Sequence, residues 1–410
     1  MSDPKRIVIV GAGLAGASAA AGLRDRGFAG EILLLGTEKH RPYELPPLSK
    51  GVLLGDKDEP DWVRDESFYE EHAITHRQGV TATRVELGAR LVLDDTGGEH
   101  SFDRLLFATG SRPRSVPVPG ADLPGLKTLR TIEDSLSLRS AFIDAERVVI
   151  VGSGWIGSEA AAAARKHGAE VTVVSRSSAP LVSVLGDEVA AVFHGLHTEH
   201  GVNWRFGAKV AEFTGGPDGV RGVRLGDGEE LTADVVLVAV GAAPRVELAH
   251  AAGLEIADDG GVCVDAGLRT AAPDVYAAGD IAAHFHPRYG KRVRVEHWAN
   301  AKNQGTHVAG NLIGENEPYL NSPYFFSDQY DLGCEYRGLA DLDTDELVVR
   351  GDLASREFTA FWVRGGEVSA AMNVNMWDDG DALKSLVDGR MKVTAAQLRD
   401  DDLAKLAETS

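Results

Sequence analysis

A strand, a glycine-rich turn and a helix, met in that order and then met again, restrict what this chain can fold into more than any other feature. Arg6 to Val10 (RIVIV) is a short, continuous, β-branched run that suits a buried parallel strand. Gly11-Ala12-Gly13-Leu14-Ala15-Gly16 follows at once, and an Ala-rich helical stretch runs from Ala17 to Arg24. The same unit recurs 141 residues later. Arg147 to Val151 (RVVIV) leads into Gly152-Ser153-Gly154-Trp155-Ile156-Gly157, then a helix over Ser158 to Lys166 and a further strand over Glu170 to Val174. A lone GxGxxG can be a structural turn and nothing more. Two copies, each inside a complete strand–turn–helix–strand pattern, are a strong signal.

Each glycine has its own physical task. The first (Gly11, Gly152) permits the tight turn, and the second (Gly13, Gly154) lets the backbone approach a pyrophosphate. The third (Gly16, Gly157) lets the helix pack closely on the strand. Phosphates then sit on free N–H groups at a helix N-terminus. The expectation is an α/β chain with two Rossmann-like domains, each binding a dinucleotide.

Such units usually place an Asp or Glu at the end of the second strand, bonding the adenosine ribose. After the first copy, Glu31 to Leu35 ends in Gly36-Thr37-Glu38, and Glu38 is the available carboxylate. After the second copy the strand ends Val173-Val174-Ser175-Arg176, with no acid. An arginine in that place removes repulsion toward a 2′-phosphate and supplies a partner for it, so NADPH is the alternative to NADH there. The plainer reading leaves Arg176 a solvated loop residue with NADH bound all the same.

The bulk numbers exclude several classes. The 410 residues suggest roughly three domains of ordinary size. Lys plus Arg total 42 against 62 for Asp plus Glu, a formal charge of −20, so the basic footprint of a nucleic-acid binder is missing. The two cysteines, Cys263 and Cys334, are far apart and form no CxxC, which leaves neither a redox-active disulfide motif nor a zinc site and predicts small buried hydrophobes. No metal is expected. The N-terminus shows no signal-peptide pattern and no stretch reaches the length of a membrane helix, so a cytoplasmic protein without membrane contact is expected.

Further segments narrow the cofactor. Leu105 to Gly110 (LLFATG) is a strand ending in a glycine turn, with a counterpart in Val235 to Gly241 (VVLVAVG). Pro273 to Asp280 (PDVYAAGD) ends a strand on Gly279-Asp280. These sit where the two-dinucleotide flavoprotein reductases carry their ATG and GD motifs, and here the chain resembles that superfamily. Pro42-Tyr43-Glu44-Leu45-Pro46-Pro47-Leu48-Ser49-Lys50 closely resembles the PYxRPPLSK segment of the oxygenase-coupled ferredoxin reductases, the putidaredoxin-reductase-like enzymes, with Leu45 where that family usually has Arg. Leu129 to Asp134 (LRTIED), Val295 to Ala301 (VEHWANA) and Ser327-Asp328-Gln329 match further family segments, the last with Phe326 in place of a tryptophan. Thr37 replaces a usual aspartate. The resemblance spans essentially the whole chain.

What the resemblance implies is a hydride transfer from NADH to FAD, followed by single-electron transfer to a [2Fe–2S] ferredoxin that feeds a cytochrome P450 or a ring-hydroxylating dioxygenase. It implies that Lys50 lies near the flavin and pairs with Glu159, the two residues given catalytic roles. Asp280 is placed on the ribitol, Arg130 and Trp298 at FAD, and Phe326 at the nicotinamide side. The expected cofactor set is completed by Gly11, Gly13, Leu14, Ala15, Gly16, Thr37, Glu38, Ala82, Thr109, Gly110 and Gly279 for the first copy. Gly152, Gly154, Trp155, Ile156, Gly157, Ser175, Arg176 and Gly241 complete the second. His297, beside the flavin segment, either tunes charge or packs. The domains expected are 1–113 with 248–320 for FAD, 114–247 for NAD(P), and a small C-terminal α+β interface domain over 321–410. For the acidic ferredoxin, Arg288, Lys291, Arg292 and Arg294 are the candidate basic patch, against a solvated charged turn. The nearest alternatives are a rubredoxin reductase or another NAD(P)H-dependent FAD oxidoreductase, and, outside enzymes, an apoptosis-factor-like flavoprotein. A monomer is expected.

Overall fold

The computed structural model describes residues 4–408. They form two compact units.

The first unit comprises the chain up to Glu44, Asp61–Arg112 and Ala242–Asn321. Its centre is a five-stranded parallel sheet in the order Val275–Ala277, Arg104–Phe107, Arg6–Val10, Glu31–Gly36, Ile74–Gln78. Ile7, Ile9, Leu34, Leu106 and Phe107 are fully buried in it, as expected of parallel strands covered on both faces. The helix Leu14–Asp25 starts at Leu14, three residues earlier than the Ala-rich stretch suggests, because Gly13 takes the extended N-cap conformation. That helix is buried on every side from Leu14 to Leu23. It packs on the helix Trp298–Ile313 so closely that a Cβ on Gly305 would lie 2.2 Å from the Ala15 carbonyl oxygen.

The second unit comprises Leu45–Pro60, Pro113–Gly241 and the chain from Ser322. Its parallel sheet runs Val202–Arg205, Glu170–Val174, Arg147–Val151, Val235–Val238. The helix after its glycine turn likewise begins early, at Trp155. An antiparallel sheet follows in the order Tyr324–Gln329, Leu332–Gly338, Glu367–Val374, Glu357–Arg364, Glu346–Asp352. Phe358, Ala360 and Trp362 face Leu185, Val189 and Phe193 of the helix Val182–Glu199, while Phe361 faces Leu383, Leu386 and Leu398 of the closing helices. A strand covered on both faces explains the near-continuous apolar run.

The units divide the chain differently from a contiguous 1–113. Residues 45–60 pack with the second unit, because Leu53 is buried in its core and backbone carbonyls of the segment are claimed by its side chains. Ser135 Oγ donates to Leu48 O at 2.7 Å, Arg139 Nη1 to Lys57 O at 3.0 Å, and His167 Nε2 bonds Leu53 O at 3.0 Å. Both cysteines are free and buried. Among the described residues no helix is long and apolar enough to cross a membrane, and no cluster of His, Cys, Asp or Glu could hold a metal ion.

Candidate functional site

In the first unit the three glycines of the turn stand in different surroundings. A Cβ on Gly11, whose φ is +112°, would lie 2.1 Å from the Ala108 carbonyl oxygen, and one on Gly16 would lie 2.0 Å from the Gly11 carbonyl oxygen. These two are required by backbone contact. A Cβ on Gly13 would meet nothing within 4 Å, so this glycine keeps space open at the surface where the helix begins. No side chain caps that helix, leaving the N–H groups of Leu14, Ala15 and Gly16 available to a phosphate. A pyrophosphate fits this cradle.

The other expected cofactor residues of the first copy belong to the same unit. Glu38, exposed at the end of the second strand, accepts a 2.5 Å hydrogen bond from the Tyr43 hydroxyl, which holds its carboxylate. Asp280 is buried and accepts from Ser111 Oγ at 2.6 Å, while the Gly279 N–H donates to Gln304 Oε1 at 2.9 Å. Thr109 Oγ1 donates to Arg245 O at 2.7 Å, and the Gly110 carbonyl accepts the Arg245 N–H. Ala82 opens a strand opposite Asp94. Trp298 is the first residue of its helix, its indole N–H bonded to Glu44 and Lys302 Nζ 5.0 Å from its ring centroid. Burial pushes the His297 imidazole down to about 4, against the pull of Asp280, so it is neutral at neutral pH.

The basic patch expected over 288–294 is smaller than its sequence suggests. Arg292 Nη1 donates to the Val264 and Ala283 carbonyls, and Arg294 pairs with Glu296. Both guanidiniums are spent on the fold, whereas Lys291 is exposed.

In the second unit the glycine turn repeats. A Cβ would lie 2.2 Å from Ala239 O at Gly152 and 2.1 Å from Gly152 O at Gly157, and would meet nothing within 4 Å at Gly154. The helix again lacks a side-chain cap. Of the motif's side chains, Ile156 is exposed, and Trp155 turns away to pack on Phe325 and Phe193, with ring centroids 4.7 and 5.8 Å off. Gly241 takes a positive φ and its carbonyl accepts the Arg114 N–H. The Arg130 N–H donates to Asp134 Oδ2 beside the capping box of the following helix.

The most connected group of this unit centres on Glu159, whose carboxylate is 4% exposed. Lys50 Nζ and Ser327 Oγ donate to Oε1 at 2.8 and 2.6 Å, and Ser49 Oγ donates to Oε2 at 2.5 Å. Gln329 Nε2 donates to Ser327 Oγ at 3.1 Å, and His197 Nε2 stands 2.8 Å from Gln329 Oε1. Since that oxygen accepts, the imidazole proton is on Nε2, and every donor in the chain points toward Glu159. The strand Tyr324–Gln329 makes this possible by alternation: Ser327 and Gln329 face inward, and Phe326 faces the other way with Lys50 Nζ 5.2 Å from its ring centroid. Lys50, Glu159 and Phe326, distant in sequence, are thus brought together. Sequence reasoning gives Ser49, Ser327, Gln329 and His197 no role, although the two-residue period of the strand Tyr324–Gln329 places Ser327 and Gln329 on one face.

His197 and His284 of the first unit are fully enclosed, and burial lowers each to about 4 from an ordinary 6.5. Below pH 6.5 the unfolded chain takes up protons that the folded one refuses, so stability falls as pH drops from 6.5 toward 4. Each site contributes up to about 3 kcal/mol of that loss. Urea midpoints measured between pH 7 and 5 are expected to decline, and the decline to shrink in His197→Gln; a flat profile would contradict it.

A family model described as pyridine nucleotide-disulphide oxidoreductase matches residues 5–305, and one described as reductase C-terminal matches 324–407. Rhodocoxin reductase of Rhodococcus erythropolis is 38% identical over 97% of this chain and 92% of its own length. The anthranilate 1,2-dioxygenase system ferredoxin–NAD(+) reductase component of Burkholderia cepacia is 38% identical over 97% of both chains. The reductase in the crystal structure of the covalent putidaredoxin reductase–putidaredoxin complex superposes with a TM-score of 0.94 at 34% identity, covering 100% of both chains.

Proposed function

The chain belongs to the pyridine nucleotide-disulphide oxidoreductase family, and from that premise we propose that it is an NADH-dependent, FAD-containing ferredoxin reductase. Its partner is a [2Fe–2S] ferredoxin that supplies a dioxygenase or a cytochrome P450. The observation that carries the reading is the doubled cradle: two uncapped helix N-termini, each with an open glycine between two that backbone contact requires. A disulfide-reducing role is not supported, since the two cysteines are buried and form no disulfide with each other. Dioxygenase and putidaredoxin systems are the settings of the relatives, and the match runs through the C-terminal domain as well.

FAD supplies what no side chain can, accepting electrons as a hydride and returning them singly. The residues of this chain bind and orient. In the first unit, Gly11 to Gly16 hold the pyrophosphate, Glu38 the adenosine ribose, and Asp280 the ribitol. The N-terminal end of the helix beginning at Trp298 would offer positive potential to negative charge on the flavin. In the second unit, Gly152 to Gly157 hold the nicotinamide nucleotide. Lys50, held by Glu159, would be the cation that stabilises negative charge on the flavin. In functional terms 1–113 with 248–320 serve FAD, 114–247 serve the nucleotide and 321–410 the partner. The protein works in the cytoplasm, in keeping with its two unpaired cysteines.

Anaerobic addition of NADH to the purified yellow protein is expected to bleach the flavin band stoichiometrically, and a [2Fe–2S] ferredoxin added next to restore it. Colourless protein, or a band that NADH leaves untouched, contradicts the reading.

A further inference from the structure

We propose that the adenosine end of the second dinucleotide site is built to take a 2′-phosphate, so that the chain accepts NADPH as hydride donor as well as NADH. The inference rests on reading that copy as the nicotinamide-nucleotide site. The chain carries its own internal control. Val10 pairs with Leu35 in the first sheet and Val151 with Val174 in the second, so the two strand ends that follow are equivalent. The first continues Gly36-Thr37-Glu38 and ends on a carboxylate held by Tyr43. The second continues Ser175-Arg176-Ser177-Ser178, and no acid occurs anywhere from Thr172 to Pro180.

The geometry explains what replaced the acid. Ser175 is buried, its Oγ 2.7 Å from Ser153 Oγ of the glycine turn and accepting the Ser177 N–H at 3.2 Å. It ties the strand end to the turn and is committed there, so it offers the ribose no carboxylate. Arg176 is exposed, with no hydrogen-bond or ion-pair partner among the described residues. Its neighbour at the end of the adjacent strand, Arg205, is by contrast saturated: Nε and Nη2 meet the Glu229 carboxylate at 2.9 to 3.0 Å. Glu229 is therefore already neutralised by Arg205.

An exposed arginine alone is ordinary surface. Here it coincides with the loss of the one group that would repel a phosphate dianion and that would accept from an unphosphorylated ribose. Both changes act in the same direction. A guanidinium gives a phosphate paired, charge-assisted hydrogen bonds that lysine's point charge cannot reproduce.

The test compares two ligands that differ only by the 2′-phosphate, adenosine 2′,5′-bisphosphate and adenosine 5′-monophosphate, titrated calorimetrically into the holoenzyme. The bisphosphate is expected to bind about tenfold or more tightly, and the advantage to shrink with added salt. Arg176→Ala is expected to bring the ratio within about twofold of one, and Arg176→Lys to retain part of it. Because Arg176 is exposed, both variants fold. Equal affinities in the parent protein, or a ratio that Arg176→Ala leaves unchanged, overturn the inference. If NADH bleaches the flavin while the bisphosphate shows no advantage, only this inference falls. If neither NADH nor NADPH bleaches it, the reading beneath falls too.

Discussion

Replacing Glu159 with alanine is expected to cost about 3–5 kcal/mol of folding stability and to slow flavin reduction by NADH about a hundredfold. Both losses have one origin. The carboxylate accepts from Lys50, Ser49 and Ser327 while only 4% exposed. Its removal strands an ammonium that is itself only 16% exposed and leaves two buried hydroxyls without their acceptor. Glu159→Gln keeps the shape and part of the hydrogen bonding but not the charge, so it should recover stability more than rate. Urea unfolding and stopped-flow bleaching separate the two. A Glu159→Ala protein with the parent's midpoint would mean that the network is decorative, and one with the parent's rate would detach Lys50 from the chemistry. Ser327→Ala and Gln329→Leu, further along the chain of donors, should show the same pattern at about 1–2 kcal/mol.

The glycines of the first turn give the second large effect, and they give it in opposite forms. Gly16→Ala drives a methyl to 2.0 Å from the Gly11 carbonyl oxygen, a backbone atom that cannot step aside. The protein is expected to lose more than about 3 kcal/mol and to accumulate as insoluble chain. Gly13→Ala meets nothing within 4 Å, so the fold survives, but the methyl occupies the space through which a pyrophosphate approaches the helix N-terminus. That variant should be soluble, native by circular dichroism and colourless. Gly154→Ala should behave in parallel for the second site, yellow yet bound at least about tenfold more weakly by the nicotinamide nucleotide. A yellow Gly13→Ala protein would show that the open space is not the flavin's.

How far the sequence could be read depends on the range of each constraint. Both glycine turns were legible because their demands are local. A positive φ at Gly11 and a carbonyl in contact with Gly16 follow from the few residues around them. The strands Arg6–Val10, Arg147–Val151, Glu170–Val174 and Glu367–Val374 fall where β-branched and apolar runs put them. Both helices start three residues before their Ala-rich stretches, because Ala-rich composition marks the helix body while the extended conformation of Gly13 and Gly154 sets its first residue.

What tertiary structure alone decided was the partner of most buried polar groups. The Lys50–Glu159 pair, 109 residues apart, is one the family resemblance implies, but the carboxylate's other donors are not: Ser327 meets it across 168 residues. His197 reaches Gln329 across 132. Arg292 and Arg294 looked like surface charge and turned out to hold backbone and side chain of their own unit. Residues 45–60 follow the first glycine unit in sequence yet pack with the second. Hydrophobic periodicity states which face of an element is buried, and glycine spacing states where a backbone must turn or come close. Neither states which distant donor will satisfy a given carboxylate, because that pairing is chosen by the packing of whole elements and becomes compulsory only once water has been excluded.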